Sequence, residues 1–121
     1  MSEPTPFEIR LTPDFQRQVK ILSKRYRSLK TDLSPVIEQL RTREPLGDQI
    51  SGIGFRVMKV RVKNSDISKG KSSGYRLIYW ISSDELIVLL DIYSKSDRSN
   101  VDAIEIRQII NRFSTSLEDI E

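Results

Sequence analysis

Met58-Lys59-Val60-Arg61-Val62-Lys63 alternates strictly between apolar and cationic residues. Successive side chains of an extended chain point to opposite faces, so this segment is a strand with Met58, Val60 and Val62 on one face. Lys59, Arg61 and Lys63 occupy the other. The period of two begins near Phe55, and Asn64 to Ser73 follows as a polar loop containing Lys69-Gly70-Lys71. Gly74 to Ile81 and Leu86 to Tyr93 then read as two more strands joined at Ser82-Ser83-Asp84-Glu85. Together the three form an antiparallel meander. If the loop closes symmetrically, Lys63 pairs with Gly74 and Arg61 sits across from Arg76. The same count over the next hairpin pairs Ile81 with Leu86 and Arg76 with Asp91, and it leaves Tyr93 near Gly74 with Lys95 just beyond.

Upstream of the meander, Phe7 to Leu11 alternates as a short strand does, and Thr12-Pro13-Asp14 is a helix start with a hydroxyl cap, a first-turn proline and an early carboxylate. Phe15, Val19, Leu22, Tyr26 and Leu29 continue at helical spacing as one apolar stripe. Arg17, Lys20, Lys24, Arg25, Arg27 and Lys30 fill the rest of that circumference, a pattern that reads as a solvated basic face. A second helix is expected from the Thr31 to Pro35 cap region through Val36, Ile37 and Leu40, ending before Pro45 and Gly47. These two helices are expected to pack as a hairpin on the sheet. Downstream, Ser99 or Asn100 caps a last helix with Val101, Ile104, Ile109, Ile110 and Phe113 as its apolar residues. The fold class is therefore α+β. The chain reads as one unit over residues 1–121, with residues 1–6 and 115–121 as flexible ends.

The 121 residues include 20 Lys plus Arg against 17 Asp plus Glu, with no histidine and no cysteine. No disulfide, thiolate chemistry or ordinary zinc ligand set is available, and no cofactor is expected. Acid and base work falls to Lys, Tyr, Asp or Glu. Residues 1–83 carry 16 cations against 8 anions, a net of +8, while residues 84–121 carry 4 against 9, a net of −5. The chain is a basic body with an acidic end. Met1 to Pro6 is polar, without an apolar leader segment, and no apolar run is long enough to span a bilayer, so the expected setting is cytoplasmic and away from membranes.

Three of the meander cations have an ordinary structural explanation. Arg76 pairs with Asp91 across the strands, and Lys59 and Lys63 are solvated edge positions. As a set they point elsewhere. Lys59, Arg61, Lys63, Lys69, Lys71, Arg76 and Lys95 map to one end of one meander, where mutual repulsion costs stability unless an anion binds. RNA or DNA is the natural polyanion. Tyr75, Tyr79 and Trp80 along the middle strand form either a base-stacking surface or, as is commoner in a central strand, core.

The segment Ser72-Ser73-Gly74-Tyr75-Arg76-Leu77-Ile78-Tyr79, the strand from Met58 to Lys63 and the run Ser94-Lys95-Ser96-Asp97-Arg98-Ser99-Asn100-Val101 resemble the RelE/ParE superfamily of toxins, closest to its HigB branch. The order of strand, helical hairpin, three-stranded meander and C-terminal helix agrees, over roughly residues 7–113. That resemblance implies a ribosome-dependent mRNA endoribonuclease, an mRNA interferase that needs no metal and is neutralised by a cognate antitoxin. The protein would be a monomer alone or a hetero-oligomer with that antitoxin. A non-catalytic ParE-like gyrase poison, and a weakened toxin acting through antitoxin binding, are the alternatives the same resemblance allows.

Carried over by position, the family's pattern implies catalytic roles for Lys59, Arg61 and Arg76. Ser96 and Asp102 stand where RelE proteins have an arginine and a tyrosine, so Tyr93 and Lys95 are assigned those two roles. Tyr93 would stack on RNA or exchange a proton, and Lys95 would hold phosphate. Lys63, Lys69 and Lys71 are the accompanying RNA-binding residues.

Overall fold

The computed structural model describes residues 5–43, 46–67, 74–98 and 100–120, with the backbone alone for 116–120. Lys69, Lys71 and Ser99 lie outside the described residues. The elements run β1 (Glu8–Leu11), α1 (Pro13–Arg25), α2 (Leu29–Arg41), β2 (Asp48–Gln49), β3 (Val57–Val62), β4 (Tyr75–Ile81), β5 (Leu86–Ser94) and α3 (Ala103–Ile120). The strands form one five-stranded sheet in the order β1-β5-β4-β3-β2.

The expectation of a RelE-like three-stranded antiparallel meander is corrected here. β1 lies parallel to β5, pairing Glu8 with Leu86 through Leu11 with Leu89, and β2 adds a fifth, antiparallel strand beside β3. The sheet is mixed and has five strands. A parallel neighbour far away in sequence leaves no local pattern, because its partner is reached only through a crossover carrying two helices. A two-residue strand is too short to show an alternation at all.

α1 begins as its sequence dictates. The Thr12 hydroxyl accepts from the Phe15 N–H at 3.0 Å and donates to the Leu89 carbonyl at 2.9 Å, so one cap fixes both the helix start and its position over β5. α2 starts earlier than the Thr31 to Pro35 cap region, at Leu29, and carries Pro35 inside it. Its apolar side, Leu29, Leu33 and Leu40, is fully packed, and that burial carries the helix through a residue unable to donate a backbone hydrogen bond. Asp102, rather than Ser99 or Asn100, caps α3: its side chain accepts from the Ile104 N–H at 3.0 Å.

Two apolar layers flank the sheet. Phe15, Leu22, Tyr26, Leu29, Leu33 and Leu40 from α1 and α2 pack on Val60, Val62, Tyr75, Leu77, Tyr79, Ile87, Leu89 and Ile92. Ile106, Ile109 and Ile110 of α3 pack on the opposite face against Val57, Ile78, Val88, Leu90 and Tyr93, together with Ile53 from the loop before β3. Tyr75 and Tyr79 therefore belong to the helical-hairpin core, while Trp80 faces the other way beside Phe55, so no shared stacking platform exists.

Register across β3 and β4 sets Arg61 opposite Arg76. The next pairing departs from simple counting. Ile81 pairs with Ile87 rather than Leu86, and a bulge opposite Ile78 and Tyr79 leaves Leu90 as an extra residue; the two one-residue shifts together set Arg76 against Tyr93 and Asp91 against Ile78. The expected pairing of Arg76 with Asp91 is thereby lost.

Candidate functional site

α3 covers only part of its face of the sheet. Arg61 on β3, Arg76 on β4 and Tyr93 on β5 form one row across three strands, running out from the α3 layer that holds Tyr93. Directly opposite residues in an antiparallel pair have Cβ atoms about 5 Å apart and share a face. Two guanidinium stems therefore stand side by side, with Lys59 one step along β3 on the same face. Beside the row lies a cleft of about 470 Å³ lined by Gly47, Asp48, Lys59, Val60, Arg61, Arg76 and Lys95. It carries four cations and one carboxylate.

Neighbouring elements fix each wall. β2 lies against β3 with Asp48 opposite Lys59. Gly47, at φ +84°, allows this approach, since a Cβ there would collide with the Lys59 carbonyl. The far end of β3 is held by paired caps: the Ser65 N–H and hydroxyl donate to the Asp32 carboxylate, and the Ser28 N–H and hydroxyl donate to Asp66. Lys95 enters from the turn after β5, its N–H donating to the Gly74 carbonyl at 3.0 Å.

Arg76 is the unusual cation of the group. It is only 6% exposed, and its Nη1 donates to the neighbouring Tyr75 carbonyl at 3.2 Å. Among the described residues, Lys59, Arg61 and Arg76 form no ion pair. Asp91, expected to neutralise Arg76, instead accepts from Arg98 Nη2 at 2.9 Å and from the Ile92 N–H at 2.9 Å. Burial pushes the Asp91 carboxyl above its ordinary range, and the Arg98 hydrogen bond and charge pull the other way without cancelling it.

The sequence-derived site residues divide on this geometry. Lys59, Arg61, Arg76 and Lys95 come together at the cleft. Lys63 is exposed just past the end of β3 and does not line it. Tyr93 is 3% exposed, with the Arg98 guanidinium 4.7 Å from its ring centroid and its hydroxyl buried without a hydrogen-bond partner. Burial raises its pKa against the opposing charges of Arg76 and Arg98. Such a ring is not open for stacking, and such a phenol keeps its proton at neutral pH. Ser96 bonds the Ser94 hydroxyl at 2.8 Å, and Asp102 is spent on capping α3.

Asp48 and Arg98 were not legible as site residues. Asp48 sits on a strand without a readable period, and the partner of Arg98 depends on the bulge. A second hollow, of about 390 Å³ between the start of α1 and α3, is lined by Pro13, Asp14, Arg17, Arg112 and Phe113. Its charges already satisfy one another, with Arg112 Nη2 at 2.7 Å from Asp14.

No family model matches the chain. No curated protein matches it either. Among solved structures, it is similar to TrmO from Pseudomonas aeruginosa, at 18% identity and a TM-score of 0.45 over 77% of this chain and 37% of that one. A second TrmO structure is similar at 18% identity and a TM-score of 0.45, over 76% of this chain and 35% of that one. The chain thus spans little more than a third of either structure's length. At this level the likeness assigns neither family nor chemistry.

No family model and no curated protein supports the identification of this chain with RelE/ParE and HigB toxins, and the solved structures that it is similar to are TrmO; that identification does not hold. The ribosome-dependent mRNA endoribonuclease falls with it, as do the gyrase-poison and weakened-toxin alternatives. So do the cognate antitoxin and the ribosomal mRNA as partners. The site geometry agrees on one point: the tyrosine assigned to stacking or proton exchange is sealed in the core. Among the described residues, no helix is long and apolar enough to cross a membrane.

Proposed function

We propose that the cleft at the β2, β3 and β4 end of the sheet is a nucleic-acid-binding site that holds backbone phosphate. The observation that carries this reading is the Arg61 and Arg76 pair, placed opposite one another by register and left without a carboxylate partner among the described residues. Like charges facing across a sheet destabilise it, and a bound phosphate reverses the sign of that interaction. Guanidinium forks suit the task, because each offers a planar pair of donors and neither loses its charge. Lys59 and Lys95 add cations along the same cleft, which suits a chain of phosphates better than a single small anion. The reading is one of binding and contains no bond-breaking step.

Fluorescence anisotropy with a labelled single-stranded 12-residue oligonucleotide tests it over a range of salt concentrations. The wild type should bind at low salt and weaken steeply as salt rises. Lys59→Ala and Arg76→Met should each lower affinity and flatten the salt slope by about 1, as expected for loss of one phosphate contact. Folding of each variant is checked by its thermal transition. No binding at low salt, or salt slopes unchanged in both variants, would overturn the reading.

A further inference from the structure

Among the described residues, Asp48 is the one carboxylate lining an otherwise cationic cleft. It stands directly opposite Lys59 on the neighbouring strand, so its side chain lies on the same sheet face as Lys59, Arg61 and Arg76. Among the described residues its side chain makes no ion pair, although Lys59 is its cross-strand neighbour. Its position is built rather than incidental. Gly47 adopts φ +84° and lets β2 press against the Lys59 carbonyl, which fixes where the carboxylate begins.

A carboxylate beside a phosphate site repels the ligand's charge, so as a phosphate-binding element Asp48 is counterproductive. It is an acceptor only, and what suits it is a ligand donor close to the phosphate. Nucleic acids differ in one such group. The ribose 2′-hydroxyl lies within one nucleotide of its phosphate, can donate, and is lacking in DNA. Asp48 is displaced from Arg61 by one step across the strands and one along them, a distance of that same order. Base edges, carried on the far side of the sugar, lie farther from the backbone.

The geometry points to Asp48 as the residue that selects ribose over deoxyribose, by accepting a hydrogen bond from a 2′-hydroxyl next to the phosphate held by Arg61 and Arg76. This inference rests on the phosphate-binding reading of the cleft. The two act in opposite senses on DNA: the arginines attract its backbone, and Asp48 repels that backbone with no hydroxyl to compensate. On RNA, the hydrogen bond to a charged acceptor offsets the repulsion.

The test compares two labelled single-stranded 12-residue oligonucleotides of identical sequence, with uracil in both and only the sugar changed. The wild type should bind the ribose form about tenfold more tightly, the range of one hydrogen bond to a charged group. In Asp48→Ala, affinity for the ribose form should fall and affinity for the deoxyribose form should rise, bringing the ratio to within about twofold of unity. Equal binding of both sugars by the wild type, with loss of binding in Arg76→Met, overturns the selection by Asp48 and leaves the phosphate site standing. A rise in both affinities by the same factor in Asp48→Ala does the same, since it reports charge removal alone. Absence of binding to either oligonucleotide overturns both readings together.

Discussion

Under α1 and α2, the sheet presents Val60, Val62, Leu77, Tyr79, Leu89 and Ile92, all closed off by helical side chains. Under α3, the same strands present Val57, Ile78, Val88 and Leu90, but then change character to Lys59, Arg61 and Arg76. One face is filled to its margins by a hairpin of two helices, and the other is covered by a single helix and part of a loop. The strands are shared, so the contrast arises from which residues alternate onto which side. In β3 the alternation gives one face three apolar residues and the other two cations. The hairpin side serves cohesion, and the α3 side combines cohesion near the helix with charge beyond it.

Five substitutions probe that contrast, and the largest effect belongs to the closed face. Leu89→Ala removes a fully buried side chain between β1 and β4 and should cost about 3 kcal/mol in urea unfolding. A cost below about 1 kcal/mol would show the closed face to be less tightly filled than its burial implies.

Arg98→Ala tests the seam between the apolar and charged parts of the other face. It leaves the Asp91 carboxylate buried without its ion-pair partner. The expected loss is about 2 kcal/mol, less than for a fully enclosed pair, because the Arg98 side chain is 34% exposed. The pH dependence supplies the sign. Asp91 has its folded pKa raised above the ordinary 3.8, so between those two values the native state holds a proton that the unfolded chain has released. Stability should fall as pH rises through that window. In Arg98→Ala the window should extend to higher pH, and in Asp91→Asn this contribution should vanish. Denaturation midpoints measured across the acidic range decide between these outcomes.

Tyr93→Phe is expected to stabilise by about 1 kcal/mol, since it deletes a buried hydroxyl that has no partner. Oligonucleotide binding should be unchanged. Loss of binding with stability intact would bring Tyr93 back into the site and blur the division between the faces. Arg61→Thr is the smallest in stability, a gain of about 0.3 kcal/mol from relieving repulsion with Arg76. Its affinity for an oligonucleotide should nevertheless drop, and a thermal scan beside a binding titration would reveal the opposed signs.

Much of the charged face was legible because a hairpin passes its register along by counting. The strict alternation of Met58 to Lys63 and a symmetric loop are enough to place Arg61 against Arg76. The count fails at the next hairpin because Leu86 to Leu90 is a continuous apolar run, in which an inserted residue leaves no mark on the pattern. Together with the pairing of Ile81 with Ile87 instead of Leu86, that one residue moves Asp91 from Arg76 to Arg98 and sets Tyr93 beside Arg76 in the core. The parallel pairing of β1 with β5 was hidden for a different reason: it is a contact between distant segments, and neither strand's own pattern names its partner. Pro35 misplaced the start of α2 because proline was weighed as a boundary while the apolar stripe on both sides of it continued. The resemblance to a toxin family matched short motifs and element order, features that many chains of this architecture can share without sharing chemistry.

β2 is only two residues long and covers Met58 and Lys59 of β3, so among the described residues no strand lies beside the stretch from Val60 to Val62. A sheet margin without a neighbouring strand invites a strand from another molecule, the first step toward aggregation. Here that margin carries Arg61, followed by exposed Lys63, and a second copy approaching it would bring the same positive charges. The cations that suit a polyanion thus also act as gatekeepers against self-association. Their neutralisation would expose a ready template for intermolecular strand pairing.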